Sequence, residues 1–226
     1  WYDDLQAEVL SIVNYKGEIY AGGYFEGAGA DTANSVARWD GTQWHTLGKG
    51  VMCKLNGGNG VVRSLCVFNE TLYVGGNFDS IPGSNFDFDG LARWDGTDWC
   101  PIPLVDTTGE NSINAMVEFQ GDLYVSGGSF GITANDRNIA RWDGSQWHSV
   151  GGGMQGGMAQ VVSLVVYKNK LYAAGLFDLA QGNVGNYIAC WDGNQWSEVG
   201  GGVYGEDSTG NGQIHGMCVY NDELWV

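Results

Sequence analysis

Four times the chain spells nearly one phrase: Val36-Ala37-Arg38-Trp39-Asp40-Gly41-Thr42-Gln43-Trp44, then Leu91 to Trp99, Ile139 to Trp147 and Ile188 to Trp196. The leading tryptophans of the phrase lie 55, 48 and 49 residues apart, a period in the range of propeller blades. A second landmark keeps step with it: Ile19-Tyr20-Ala21-Gly22-Gly23, Leu72-Tyr73-Val74-Gly75-Gly76, Leu123-Tyr124-Val125-Ser126-Gly127, Leu171-Tyr172-Ala173-Ala174-Gly175, and a fifth copy cut short at Leu224-Trp225-Val226. A residue that returns in every unit is better explained as building the unit than as performing chemistry. The chain is a repeat array.

Each unit holds four short β-type segments separated by turn signals. In the second unit they are Val62 to Phe68, Thr71 to Gly75, Gly90 to Trp94 and Trp99 to Ile102. A tight turn joins the first two segments, and Asp-Gly, a pair suited to positive φ, joins the last two. Such a meander is too small to stand alone and must bury its faces against its neighbours. The expected fold is all-β: a β-propeller of four-stranded antiparallel blades, five in number with the last incomplete. The units run over approximately 9–47, 62–102, 113–150 and 161–199, with a partial unit at 214–226, in one domain spanning 1–226.

Composition agrees with this reading. Thirty-eight glycines and ten tryptophans stand against three prolines among 226 residues, with 43% hydrophobic content, a profile of many turns and an aromatic packing layer. The net charge of -16 repels phosphate backbones and anionic membrane surfaces, so nucleic acid is not an expected partner. No apolar run reaches membrane-spanning length, and no direct membrane insertion is expected. The chain opens on Trp1 and stops at Val226 inside an apparent strand, which reads as a segment attached to further domains of a longer chain.

The cysteines follow the repeat. Cys66 and Cys218 fall where Val13, Val117 and Val165 stand, Cys190 falls where Arg38, Arg93 and Arg141 stand, and Cys100 falls where His45, His148 and Ser197 stand. Buried small hydrophobes explain the first two. A bridge between Cys53 and Cys100 is the minority alternative to free thiols.

A Tyr-x-Gly-Gly strand end, an aromatic-Asp turn and a Trp opening the outer strand together resemble the kelch repeat over essentially the whole chain. Units reading Leu-Tyr-Val-Gly-Gly-x-Phe, Ala-Arg-Trp-Asp-Gly-x-x-Trp and Leu-Gly-x-Gly are most similar to the kelch-like repeats of large bacterial secreted and surface proteins, and to the extracellular part of the fungal cortical polarity-marker family. That resemblance implies an extracellular propeller with an adhesive or scaffolding role. The turn from Trp39 to Trp44 is shorter than in ordinary kelch repeats, so intracellular adaptor functions do not carry over. Asp40 and Gly41 are adjacent, unlike the separated pair of the sialidase Asp-box, and no arginine cluster accompanies them.

Eight tryptophans sit in four pairs, Trp39 with Trp44, Trp94 with Trp99, Trp142 with Trp147 and Trp191 with Trp196. Recurrence in register assigns them to structure, filling gaps between blades. Arg38, Arg93 and Arg141 recur beside Asp40, Asp95 and Asp143, and read as guanidinium groups pairing with or stacking on acidic and aromatic neighbours in the blade. His45 and His148 share one repeat position, so they do not converge on a metal, and no zinc-ligand spacing, nucleophile elbow or phosphate-cradling motif is present. No catalytic residue and no metal site is expected.

Function is sought where the repeat varies. The two-to-three and four-to-one connections are long and uneven, and binding residues concentrate on variable loops held by a rigid scaffold. The largest departure, Asn77 to Asp89, supplies the candidate ligand-binding residues Asp79, Asn85, Phe86, Asp87, Phe88 and Asp89. The expected function is a non-enzymatic extracellular or cell-surface module for interaction, adhesion or scaffolding, with other proteins or surface glycans as partners. The alternative is a carbohydrate-binding, lectin-like propeller using Phe25, Phe86 and Phe88. Cofactors are expected to be none; calcium is the ion such oxygen ligands would suit, though their spacing matches no EF-hand and a solvated acidic loop is favoured.

Overall fold

A computed structural model describes residues 7–53, 58–82, 90–104, 112–133, 136–155, 159–177, 179–180, 183–184, 186–203 and 214–226. The chain divides into two compact units, Trp1–Pro103 and Leu104–Val226. The first contains two four-stranded antiparallel blades, each a meander in chain order: Glu8–Tyr15, Glu18–Tyr24, Val36–Trp39 and Trp44–Thr46, then Val61–Phe68, Thr71–Asn77, Leu91–Trp94 and Trp99–Pro101. The second contains Ser112–Phe119, Asp122–Thr133, Asp136–Trp142 and Trp147–His148, then Gln160–Tyr167, Lys170–Leu176, Ile188–Trp191 and Trp196–Glu198. A hairpin of Cys218–Tyr220 and Glu223–Trp225 follows. The fold is therefore the all-β, bladed one that the repeat predicts, with four four-stranded blades and a further hairpin among the described residues.

Turn chemistry explains the meander. All five first turns hold both central residues at positive φ, including Asn69 (47°) with Glu70 (57°) and Gln120 (53°) with Gly121 (84°). This is the two-residue hairpin geometry whose twist matches that of the flanking strands. The second turn is longer than an Asp-Gly pair alone. Trp39 lies opposite Trp44, which leaves Asp40 to Gln43 as a four-residue loop with Gly41 at φ 100°.

Each blade also carries a bulge. The first strand skips register once, between Val9 and Ser11, between Val62 and Ser64, between Ile113 and Ala115, and between Val161 and Ser163. The extra residue bends the strand and brings its backbone against the second glycine of the Tyr-x-Gly-Gly landmark.

Two-to-three connections are not all irregular. In the first blade, Gly27–Ala28 pairs with Asp31–Thr32. In the third, the second and third strands run on as a hairpin, reaching Thr133 and restarting at Asp136. In the fourth, Leu179–Ala180 and Asn183–Val184 form a small sheet with Met154–Gln155. Short β-ribbons replace what the sequence reads as loops, because an extended connection satisfies its backbone groups most simply by pairing with itself.

Neighbouring blades within a unit dock through repeated contacts. Val62 and Leu65 are 0% and 7% exposed, and an ideal Cβ on Gly22 would strike the Val62 side chain. The Leu65 amide donates to Ser11 Oγ at 2.9 Å, and Tyr15 Oη donates to the Glu70 carbonyl at 3.1 Å. The second unit repeats both bonds: the Met217 amide donates to Ser163 Oγ (3.1 Å) and Tyr167 Oη to the Asp222 carbonyl (2.7 Å).

Candidate functional site

The most recurrent residues are consumed by the blades. Asp40 Oδ1 accepts from the Thr42 and Gln43 amides at 2.8 and 2.9 Å, and its other oxygen lies 2.5 Å from His45 Nε2. Asp95, Asp143 and Asp192 accept the equivalent pairs of amides. His148 meets Asp143 at 2.6 Å, and Cys100 takes the histidine's place with its sulfur 3.5 Å from Asp95 Oδ2. These bonds favour the charged carboxylate. The His45 bond first, then the Thr42 hydroxyl and the turn amides, hold Asp40 far below the ordinary carboxylate range, and the His148 bond does the same for Asp143.

A pH dependence follows. A carboxyl whose folded pKa is depressed contributes stability above its unfolded value, and that contribution is lost as pH falls through the folded value. In Asp143→Asn the amide oxygen can still accept from the turn, but the charge no longer titrates. The Tm advantage of wild type over this variant should be full at about pH 5 and shrink steadily below about pH 4. An advantage unchanged down to pH 2 would remove the assignment.

Two of the arginines pair with acidic neighbours inside their blades. Arg38 Nη1 contacts Glu18 on the adjacent strand at 2.6 Å, and Arg141 contacts Asp122. Asp40 and Asp143 are occupied by their own turns, which is why the partner lies across the sheet. The fourth blade rationalises Cys190: Lys170 stands where Glu18 and Asp122 stand, so an arginine there would face a second cation. Burial first, then the Cys190 thiol, raises the phenol of the neighbouring Tyr172. None of the five cysteines forms a disulfide, and Cys53 does not bridge to Cys100. Burial and the Asp95 carboxylate push the Cys100 thiol up, away from thiolate reactivity.

The tryptophan pairs sit with ring centroids 5.1 to 5.5 Å apart in tilted or edge-on geometry, as preferred by aromatic quadrupoles. Trp99, Trp191 and Trp196 are buried, whereas Trp39, Trp44, Trp94, Trp142 and Trp147 are partly exposed. The second indole of a pair also grips the link that leaves the preceding blade. Trp99 Nε1 donates to the Leu47 carbonyl at 3.3 Å and Trp196 Nε1 to the Val150 carbonyl at 2.8 Å. Gly48 and Gly151, both at φ 59°, follow those carbonyls, and a Cβ on either would strike an indole.

Long connections are clamped rather than free. Asn34 Nδ2 donates to the Lys49 carbonyl at 2.7 Å, and Asn186 Nδ2 to the Gly201 carbonyl at 2.9 Å. The Val51 and Val203 amides answer by donating to the carbonyls of Asn34 and Asn186. Between blades, the Met52 amide donates to the Ser80 carbonyl at 2.8 Å and the Met52 carbonyl accepts from the Asp79 and Ser80 amides. Sequence reasoning passed over these asparagines. Their signal was available: an asparagine five residues before the repeat Trp in two of the four copies.

Of the candidate ligand-binding residues, Asp79 is half-buried, with its carboxylate 3.9 Å from the Cys53 sulfur. Asn85, Phe86, Asp87, Phe88 and Asp89 lie outside the described residues. Asp89 stands, by register with Trp94, where Asn34 and Asn186 stand. Phe25 is 7% exposed and packs with Ala33 and Ala37; it is not an open stacking platform. Among the described residues no three His, Cys, Asp or Glu side chains gather as metal ligands, and no helix is long and apolar enough to cross a membrane.

No family model and no curated protein matches the sequence. Among solved structures, the chain is similar to the WD40 β-propeller domain of Doa1, at 15% identity and a TM-score of 0.49, over 96% of this chain and 60% of that one. It is similar to YCF48 bound to D1 peptide at 16% identity and a TM-score of 0.49, over 99% and 63% of the two chains. A GH74 xyloglucanase from Xanthomonas campestris matches at 16% identity and a TM-score of 0.46, over 86% of this chain and 31% of the enzyme. The chain thus spans about three fifths of the length of the first two.

Proposed function

We propose that this chain is a non-enzymatic interaction or scaffold module of an extracellular or cell-surface protein, binding other proteins through the connections that vary between blades. One observation carries the reading. The residues that recur, and that would otherwise suggest chemistry, are engaged within the blades: each turn aspartate in its own loop, two arginines in cross-strand pairs, and the buried indoles against a neighbouring link. What remains for a partner is the non-repeating face, where Asn77 to Asp89 is the longest departure. Asparagine clamps anchor other connections on that face and would limit the entropy lost on binding.

The test is a panel of immobilised surface proteins and glycans probed with residues 1–226, with and without a calcium chelator. Protein binding should fall at least tenfold when Asn85, Phe86, Asp87 and Phe88 are replaced together by Gly and Ser, with Tm unchanged. Binding that survives this replacement would sink the assignment to that connection. Glycan binding abolished by Phe86→Ala and Phe88→Ala would select the lectin reading instead.

A further inference from the structure

The first blade carries an unfilled copy of a site that is filled in the second and fourth blades. Val9 and Ile12 are 56% and 65% exposed, although by repeat register they correspond to the buried Val62 and Leu65. Beside them lies a groove of about 290 Å³ lined by Val9, Ala21, Phe25, Ala28, Ala37 and Trp44. Trp44 occupies the register position of Trp99 and Trp196. Each of those two indoles donates to the carbonyl of a Leu or Val that is followed by glycine at φ 59°. The same apolar-Gly link therefore meets the same indole twice, once in each compact unit.

We infer that this groove is a binding site for an extended Leu/Val-Gly-x-Gly segment, the link of a further blade of this repeat type. The apolar side chain enters against Phe25 and Ala28, and its carbonyl accepts from Trp44 Nε1. The following glycine is required because its left-handed backbone lies against the first indole of the pair, Trp39 by register, where a Cβ has no room, as at Gly48 against Trp94 and Gly151 against Trp191. The occupant's chemistry is read from the internal contacts, and it stands independently of any partner on the long-connection face.

The probe is a synthetic peptide copying Trp147 to Gln155, added to fluorotryptophan-labelled protein and followed by fluorine NMR, with Trp44 assigned through Trp44→Phe. The Trp44 resonance should shift in a saturable manner while those of Trp99 and Trp196 stay in place. A peptide carrying Asp in place of Val150 should bind at least tenfold more weakly, and Ala28→Arg, which fills the groove mouth, should abolish the shift while leaving Tm within a few degrees. No Trp44 response, or an equal response to the Asp peptide, overturns the proposal. A mass that doubles with concentration in wild type and not in Ala28→Arg makes a second copy of the chain the occupant, and overturns it as well.

Discussion

Trp196→Ala is expected to cost about 3–5 kcal/mol, as large aromatic truncations in cores do, and to lower the denaturant midpoint accordingly. The indole is 4% exposed, stacks at 5.3 Å on Trp191, belongs to the core cluster of the second unit, and donates to the Val150 carbonyl. Truncation therefore opens a cavity and leaves a buried carbonyl without its donor, two penalties that add. Trp44→Ala, at the same repeat position, should cost well under half as much, because Trp44 borders an open groove. Phe at 196 should recover most of the packing and not the hydrogen bond. Urea titrations of the three variants decide this; equal losses at positions 44 and 196 would show that the link contact contributes nothing.

Gly127→Ala is expected to destabilise by about 3 kcal/mol, the upper part of the range for overpacking. A Cβ at Gly127 would fall on the carbonyl oxygen of Ser112 and lie 2.8 Å from its carbonyl carbon. Both atoms belong to backbone held by the bulge, so neither can step aside as a side chain would. Gly23, Gly76 and Gly175 are placed identically against Glu8, Val61 and Gln160. The preceding position is permissive: Ser126 is fully buried with its hydroxyl 3.4 Å from the Ala115 carbonyl, and Ala174 fills the same place in the fourth blade. Ser126→Ala should cost about 1 kcal/mol, the worth of one ordinary hydrogen bond. Thermal melts of the pair test the contrast, and a Gly127→Ala loss no larger than that of Ser126→Ala would mean the bulge relaxes freely.

Much of the blade was legible because its determinants are local. The strands of the second unit, the five tight turns and the half-blade near Val226 follow from alternation and turn residues within a few positions of each other. The landmark glycines were visible as a pattern but not as a cause. The register shift on the opposite strand supplies the reason the second glycine is kept where Ser126 and Ala174 replace the first. The arginine partners were legible as acids of the blade but not residue by residue: Asp40, two positions from Arg38, is held by its own turn, and the acid that reaches Arg38 is Glu18 on the neighbouring strand.

The candidate site was the least legible part. The sequence marks Asn77 to Asp89 as unusual, but a loop's composition does not say which of its groups are spent on holding it. Asn34 and Asn186 illustrate this: polar loop residues that would pass as ligand contacts are satisfied by Lys49 and Gly201 carbonyls. Phe25 illustrates the converse, an aromatic in a connection that is claimed by the core.

By itself the sequence determined the unit: its length, its four antiparallel strands and its tight first turn, since each depends on residues close together in the chain. The tertiary structure alone decided which copies of a repeated residue are filled and which are not. Trp196 and Trp44 are indistinguishable in the repeat, yet one closes over the Val150 link and the other borders an open groove. Burial is a property of what lies on the far side of a surface, and no spacing within the unit encodes it.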